Sequence, residues 1–152
     1  MAELFAFDTN VYIRAQRELD AREALDRFRF RIGPRVRLLA VVAMELRAGA
    51  RTAELRAGVT ALVEAHASRG LYLIPGSAAY VEAGRVIADL AVRERFDVAR
   101  AAPSFTLDVL IAAACREAGA TLVTWNAGDF ARIARHLRGL RLASLPPVHG
   151  SR

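Results

Sequence analysis

The sequence predicts an α/β fold, a parallel sheet of four or five strands interleaved with helices. Three observations predict it. Short apolar runs of strand length alternate with longer helical stretches from end to end. The stretch Leu107 to Phe130, LDVLIAAACREAGATLVTWNAGDF, holds a complete helix–strand–helix unit. Its first helix is apolar on every side from Leu107 to Cys115 except at Asp108, the mark of an element buried among others.

Taken in order, Leu4 to Phe7 (LFAF) reads as a buried strand, with the polar triplet Asp8-Thr9-Asn10 at its carboxyl end. A charged helix follows at about Ala15 to Arg29, broken by Gly33-Pro34. Arg27, Arg29, Arg31, Arg35 and Arg37 crowd that stretch, either as phosphate contacts or as an ordinary solvated run. Leu38 to Val42 is a short strand or the buried start of a helix; periodicity does not separate the two. Thr52 to Ser68 is a helix containing Gly58 and stopped by Gly70, and Leu71 to Ile74 is a strand ended by Pro75. Ser77 caps a helix at Ala78 to Arg95, and Phe96 to Phe105 is a loop holding Pro103. Thr106 is the N-cap of the central helix and Gly119 its C-terminal stop. The strand Thr121 to Thr124, the loop Trp125 to Gly128, a helix Phe130 to Arg138 capped by Asp129, and an edge strand Leu140 to Ala143 complete the order. Residues 1–145 form one domain on this reading, and 146–152, with Pro146-Pro147 and HGSR, a flexible tail.

Composition removes several classes of function. With 54% hydrophobic and 25% charged residues the chain is globular rather than disordered. Its longest uncharged apolar runs are far too short to cross a bilayer, and its N-terminus lacks the basic start of a signal peptide. A cytoplasmic location with no membrane partner is the expectation. A single cysteine excludes an intramolecular disulfide and a cysteine zinc cluster, and Cys115 reads as a small core residue. All 22 basic residues are arginine, so no Walker, kinase or Schiff-base lysine exists. The net charge of +6 favours an anionic partner such as nucleic acid. His66 and His136 read as helix-surface residues and His149 falls in the tail; no metalloprotease or serine-hydrolase motif is present.

The chemistry that remains is carboxylate chemistry. Asp8 follows the first strand, Asp108 opens the central helix, and Asp129 follows a later strand. An isolated Asp8 is more often a turn or cap residue, but its place after a buried strand favours function. Gathered carboxylates repel one another unless a cation joins them. Mg²⁺ or Mn²⁺ suits such an all-oxygen site, and phosphoester hydrolysis is the chemistry natural to it.

These pieces resemble the PIN-domain family, especially the VapC-type ribonuclease toxins of toxin–antitoxin pairs. The matching segments are FDTNVYI at 7–13, ELRAG at 45–49 and LDVLIAAACREAGATLVTWNAGDF at 107–130, and the likeness covers essentially the whole chain. The resemblance implies a three-layer α/β/α sandwich. It also implies four acids at the strand ends, Asp8, Glu45, Asp108 and Asp129, holding Mg²⁺ or Mn²⁺. Spacing alone makes Glu45 an exposed helix residue; only the resemblance raises it. Asn10, Thr124 and Asn126 match the supporting polar positions. An RNA substrate, a cognate antitoxin and a homodimer are implied as partners.

Two departures stand out. Trp125 occupies a position where the family often has a basic residue, and the loop Asp97 to Thr106 is unlike the shorter polar segment expected before the third acid. Two other readings remain at this stage: a non-catalytic or housekeeping PIN-like RNA-binding protein, and a haloacid-dehalogenase-like phosphatase. The latter is weakened by Asn10, where that family has a second Asp, and by the missing lysine.

Overall fold

The computed structural model describes residues 2–146. Five strands, β1 (Leu4–Phe7), β2 (Val36–Leu39), β3 (Tyr72–Leu73), β4 (Ala120–Val123) and β5 (Arg141–Ala143), form one parallel sheet in the order β3-β2-β1-β4-β5. Phe7 pairs with Val123 and Ala6 with Leu122, so β1 and β4 end level with each other. The helices are α1 (Thr9–Arg17), α2 (Leu19–Ile32), α3 (Ala40–Gly49), α4 (Ala53–Ala67), α5 (Ser77–Arg93), α6 (Ser104–Ala118) and α7 (Ala127–Ala134).

The chain winds outward from β1 through β2 to β3, then crosses back to lay β4 on the other side of β1. With right-handed crossovers, the first connections cover one face and the later ones the other. The expected α/β/α layering follows, with β1 and β4 at the point where the winding reverses. Such a reversal opens a crevice beyond the strand ends, the usual place for a ligand in this kind of sheet.

Burial on both faces explains why the strands read as unbroken apolar runs. Ala120 to Val123 are all buried, and Phe7, Leu38, Leu39, Leu122 and Val123 are essentially inaccessible. Val42, Val86, Leu90, Ile111, Phe130 and Ile133 close over them from the helices. Phe7 lies edge-on to Tyr12 and Phe28, with centroids 5.8 and 5.7 Å apart, which fixes α1 and α2 against β1. Cys115 is buried, as expected, and Gly119 ends α6 at φ +66, a left-handed position that glycine adopts without strain.

Several boundaries differ from the sequence reading. The charged helix is two helices, and the first begins at Thr9 rather than Ala15, because the Asp8 side chain caps it by accepting from Val11 N at 3.0 Å. The run Leu38 to Val42 is both alternatives in succession: β2 ends at Leu39 and α3 starts at Ala40 with no loop between. Since both halves are buried, no polar residue marks the change.

Gly76, not Ser77, is the N-cap of α5, and its N–H donates to Glu117 Oε2 at 2.9 Å. Helix α6 starts at Ser104, so Thr106 lies inside it and caps nothing. Asn126 occupies the N-cap of α7; Asp129 sits within its first turn, and the helix ends at Ala134 instead of Arg138.

His66 is buried, with Nδ1 2.8 Å from the Leu62 carbonyl, and His136 is half-buried against Glu94. Neither is the surface residue expected. His149 and the tail after Pro146 lie outside the described residues. Among the described residues no helix is long and apolar enough to cross a membrane.

Candidate active site

The site is built outward from Asp8. Because β1 ends at Phe7, Asp8 stands at the carboxyl edge of the sheet beside β4, and its own N–H donates to Val123 O at 3.2 Å. Only 1% of it is exposed. Its carboxylate accepts from the Val11 and Asn10 backbone N–H groups and from the Thr124 hydroxyl. Burial nonetheless wins over these donors, and its pKa lies above the usual aspartate value.

Glu45, half-buried on α3, accepts a hydrogen bond from the Thr9 hydroxyl. Burial raises its pKa first and the charge of Asp8 adds to the rise, against the lowering effect of Thr9. Asp108, in the second turn of α6, is pushed up to about 7. Burial is the larger cause, followed by the charges of Asp8, Glu45 and Asp129, with no hydrogen bond in opposition. All four predicted acids are therefore within electrostatic reach of one carboxyl. Asp129 is exposed on α7, where the Asn126 side-chain amide donates to its Oδ2 at 3.2 Å.

A short relay holds the floor of this crevice. Asn126 N–H donates to Thr124 Oγ1 at 2.8 Å, and the same hydroxyl donates onward to Asp8. Thr124 thus bonds Asp8, and the Asn126 side chain bonds Asp129. Asn10 contributes its backbone N–H to Asp8, and the residue itself is exposed. Thr9 was not among the expected site residues. The signal for it was its place inside the Asp8-Thr9-Asn10 triplet, but its partner lies 36 positions away.

The donor set is all oxygen, which suits a hard cation that keeps part of its water shell. Asp108, half-buried and pushed up to about 7, has three like charges and no protein cation among the causes of its shift, an arrangement a bound cation would relieve. As placed, no three His, Cys, Asp or Glu side chains among the described residues close around a single ion position.

The sequence pattern of the PIN domain matches residues 5–136, a span containing all four acids. The chain belongs to the PIN-domain family. No curated protein sequence matches it. Among solved structures, this PIN domain is similar to a chain of the DNA-bound VapBC complex from Salmonella typhimurium, at 26% identity, over 94% of this chain and 98% of that one, with a TM-score of 0.69. It is also similar to VapBC-1 from nontypeable Haemophilus influenzae (19% identity, 93% and 97% covered, TM-score 0.66). VapBC2 from Rickettsia felis, bound to a promoter DNA fragment, gives 18% identity, 93% and 98% covered, and a TM-score of 0.63. The last two, at their identities, speak to the fold alone.

In this PIN domain the position of Trp125 is not without a positive charge. The Arg14 guanidinium lies 4.7 Å from the centre of its ring, while the indole N–H donates to Pro146 O at 3.2 Å. The guanidinium that reaches Trp125 comes from α1 and is paired with Glu18 at 2.9 Å, a contact that no local reading reveals.

Proposed function

We propose that the protein is a metal-dependent endoribonuclease and the toxin of a VapBC-type toxin–antitoxin pair. The observation that carries this is the convergence of Asp8, Glu45 and Asp129 on Asp108, at the crevice between β1 and β4. The likeness to a VapBC chain over nearly the full length of both supports the toxin assignment.

On this reading Asp8, Asp108 and Asp129 hold Mg²⁺ or Mn²⁺. The ion, when bound, supplies a water of lowered pKa and neutralises charge developing on the phosphate. Asp8 is the fixed ligand, since three donors and the sheet edge leave its carboxylate no freedom. Asp108 is the responsive one, half protonated near neutrality and ready to ionise beside a cation. Glu45 is the carboxylate left to take a proton from water as general base, its raised pKa bringing it closer to that task. Asn126 orients Asp129, and the Trp125 ring, with the Glu18-paired Arg14 against it, offers a flat face on which an RNA base can stack.

A cognate antitoxin is the partner, as in the VapBC complexes this chain resembles, and the protein works in the cytoplasm. Exposed Ile74, Tyr80 and Val81 supply apolar surface for a second copy, in keeping with a homodimer.

The test is cleavage of total RNA by purified protein with Mn²⁺, with EDTA, and by Asp8→Asn. Cleavage that needs Mn²⁺ and disappears in the variant is the expected result. Cleavage undiminished in EDTA ends the metal mechanism, and no cleavage under any condition favours an RNA-binding role.

A further inference from the structure

At the opposite end of the sheet from the carboxylates, a cavity of about 350 Å³ opens where α2 and α4 finish and β2 and β3 begin. Arg29, Pro34, Val36, His66, Arg69 and Leu71 line it. Part of the arginine run singled out in the sequence thus has a destination that the nuclease site does not use.

The charge around this cavity is of one sign. The charged groups that act on His66 are Arg29 from α2, Arg37 from β2 and Arg69 from the turn after α4, with no carboxylate among them. None of the three arginines forms an ion pair among the described residues. Arg37 spends its guanidinium on the Pro34 and Val36 carbonyls, whereas Arg29 and Arg69 make no side-chain hydrogen bond there. His66 is buried with Nδ1 on Leu62 O, which leaves Nε2 as the nitrogen available to the cavity.

We propose that this cavity is a second anion site, one that takes a phosphate group between Arg29, Arg69 and His66. A phosphate fits better than a single carboxylate. It carries more charge, and its oxygens can accept from two guanidinium forks and an imidazolium at once. The space also exceeds one phosphate, so the group can arrive as part of a nucleotide or an RNA strand.

A helix-end effect opposes the site. The C-termini of α2 and α4 each direct roughly half a negative charge towards it. Three full positive charges outweigh that, and if the arginines served only to neutralise the helix ends, no anion would bind.

Burial and the three arginines hold the His66 pKa below its usual value. A phosphate in the cavity cancels part of that repulsion, so its binding and protonation of His66 are linked. The experiment follows the His66 ring by NMR in Asp8→Asn protein, which prevents RNA cleavage, at constant ionic strength in chloride. Inorganic phosphate and a short single-stranded RNA are titrated separately into this protein and into its Arg29→Gln and Arg69→Gln derivatives.

The expected result is a saturable His66 shift, an upward move of its titration midpoint, and affinity weakened roughly tenfold in each derivative, the loss of one charge-assisted hydrogen bond. Tighter binding of RNA than of phosphate assigns the site to the RNA backbone; the reverse assigns it to free phosphate compounds. No saturable shift with either ligand, or affinity in both arginine variants unchanged from that of the parent Asp8→Asn protein, overturns the proposal. Arg69 is exposed, so its variant tests the site without threatening the fold. Because the readout is binding at the far end of the sheet, its failure leaves the nuclease assignment standing, and the converse holds too.

Discussion

The Thr124 hydroxyl donates a hydrogen bond to Oδ2 of Asp8, joining the carboxyl ends of β4 and β1 across 116 positions of sequence. This contact closes the crevice where the sheet reverses its winding, and it is the side-chain donor that holds the buried carboxylate in place.

Thr124→Val keeps the shape and removes the hydroxyl, leaving the buried Asp8 carboxylate one donor short and the Asn126 N–H without its partner. The cost should be about 1–3 kcal/mol of stability, as for a buried polar group left unpaired. Cleavage should fall roughly 10- to 100-fold, the usual penalty for losing a group that orients a metal ligand. Thr124→Ser should retain most of both. Equal activity in the valine and serine variants would show that the hydroxyl does not position Asp8.

Neutralising Asp108 should separate function from stability. Asp108→Asn should abolish measurable cleavage yet fold, since its carboxyl is held by no protein hydrogen bond. In EDTA at neutral pH it should melt above wild type by roughly 2–8 °C, equivalent to about 1–2 kcal/mol in a domain of this size. A calorimetric scan showing the variant less stable than wild type contradicts the crowding of like charges.

The pH dependence has a definite sign. The folded pKa of Asp108 is raised from 3.8 to about 7, so between those values the folded state holds the extra proton. In metal-free protein its contribution to stability therefore falls as pH rises through that window and levels off above it. Asp8 and Glu45, also raised, act in the same direction. The ion-paired Glu18, Glu82 and Glu94 are lowered and act oppositely, losing stability as acid protonates them. The clean measurement is the difference in stability between wild type and Asp108→Asn in EDTA. The advantage of the variant should be small near pH 4 and largest near pH 8. A difference that does not change with pH rules out this titration.

A divalent cation should reverse the penalty. On the proposed reading the cation binds the folded carboxylate cluster and not the unfolded chain, so Mn²⁺ at 100 times its dissociation constant should stabilise wild type by about 2.7 kcal/mol. Asp108→Asn and Asp129→Asn should respond less. Identical metal shifts in all three proteins would place the ion elsewhere.

Expression of the chain alone should slow bacterial growth, and a small protein encoded beside it, with a DNA-binding N-terminus, should restore growth and co-purify with it. Wild-type protein that accumulates without affecting growth points to RNA processing instead.

Much of the fold was legible because apolar pattern dictates it. The short runs LFAF and TLVT read as strands, and a helix apolar from Val109 to Cys115 had to be buried. The order of Asp8, Asp108 and Asp129 relative to those elements followed directly. Glu45 did not, since its place near Asp8 depends on α3 packing against α1, and locally it is an ordinary helix glutamate. The start of α1 was hidden for a related reason: Thr9 and Asn10 look like loop residues until Asp8 is seen to cap them. Tertiary structure alone decided that Thr9 bonds Glu45, that Arg14 covers Trp125, and that Arg29 and Arg69 converge on a buried His66. Each of these joins residues whose separation in sequence is set by the winding of the chain. A single sequence states which groups are present and which must be buried; the folded sheet fixes the distances between them, and with them the pKa of Asp108.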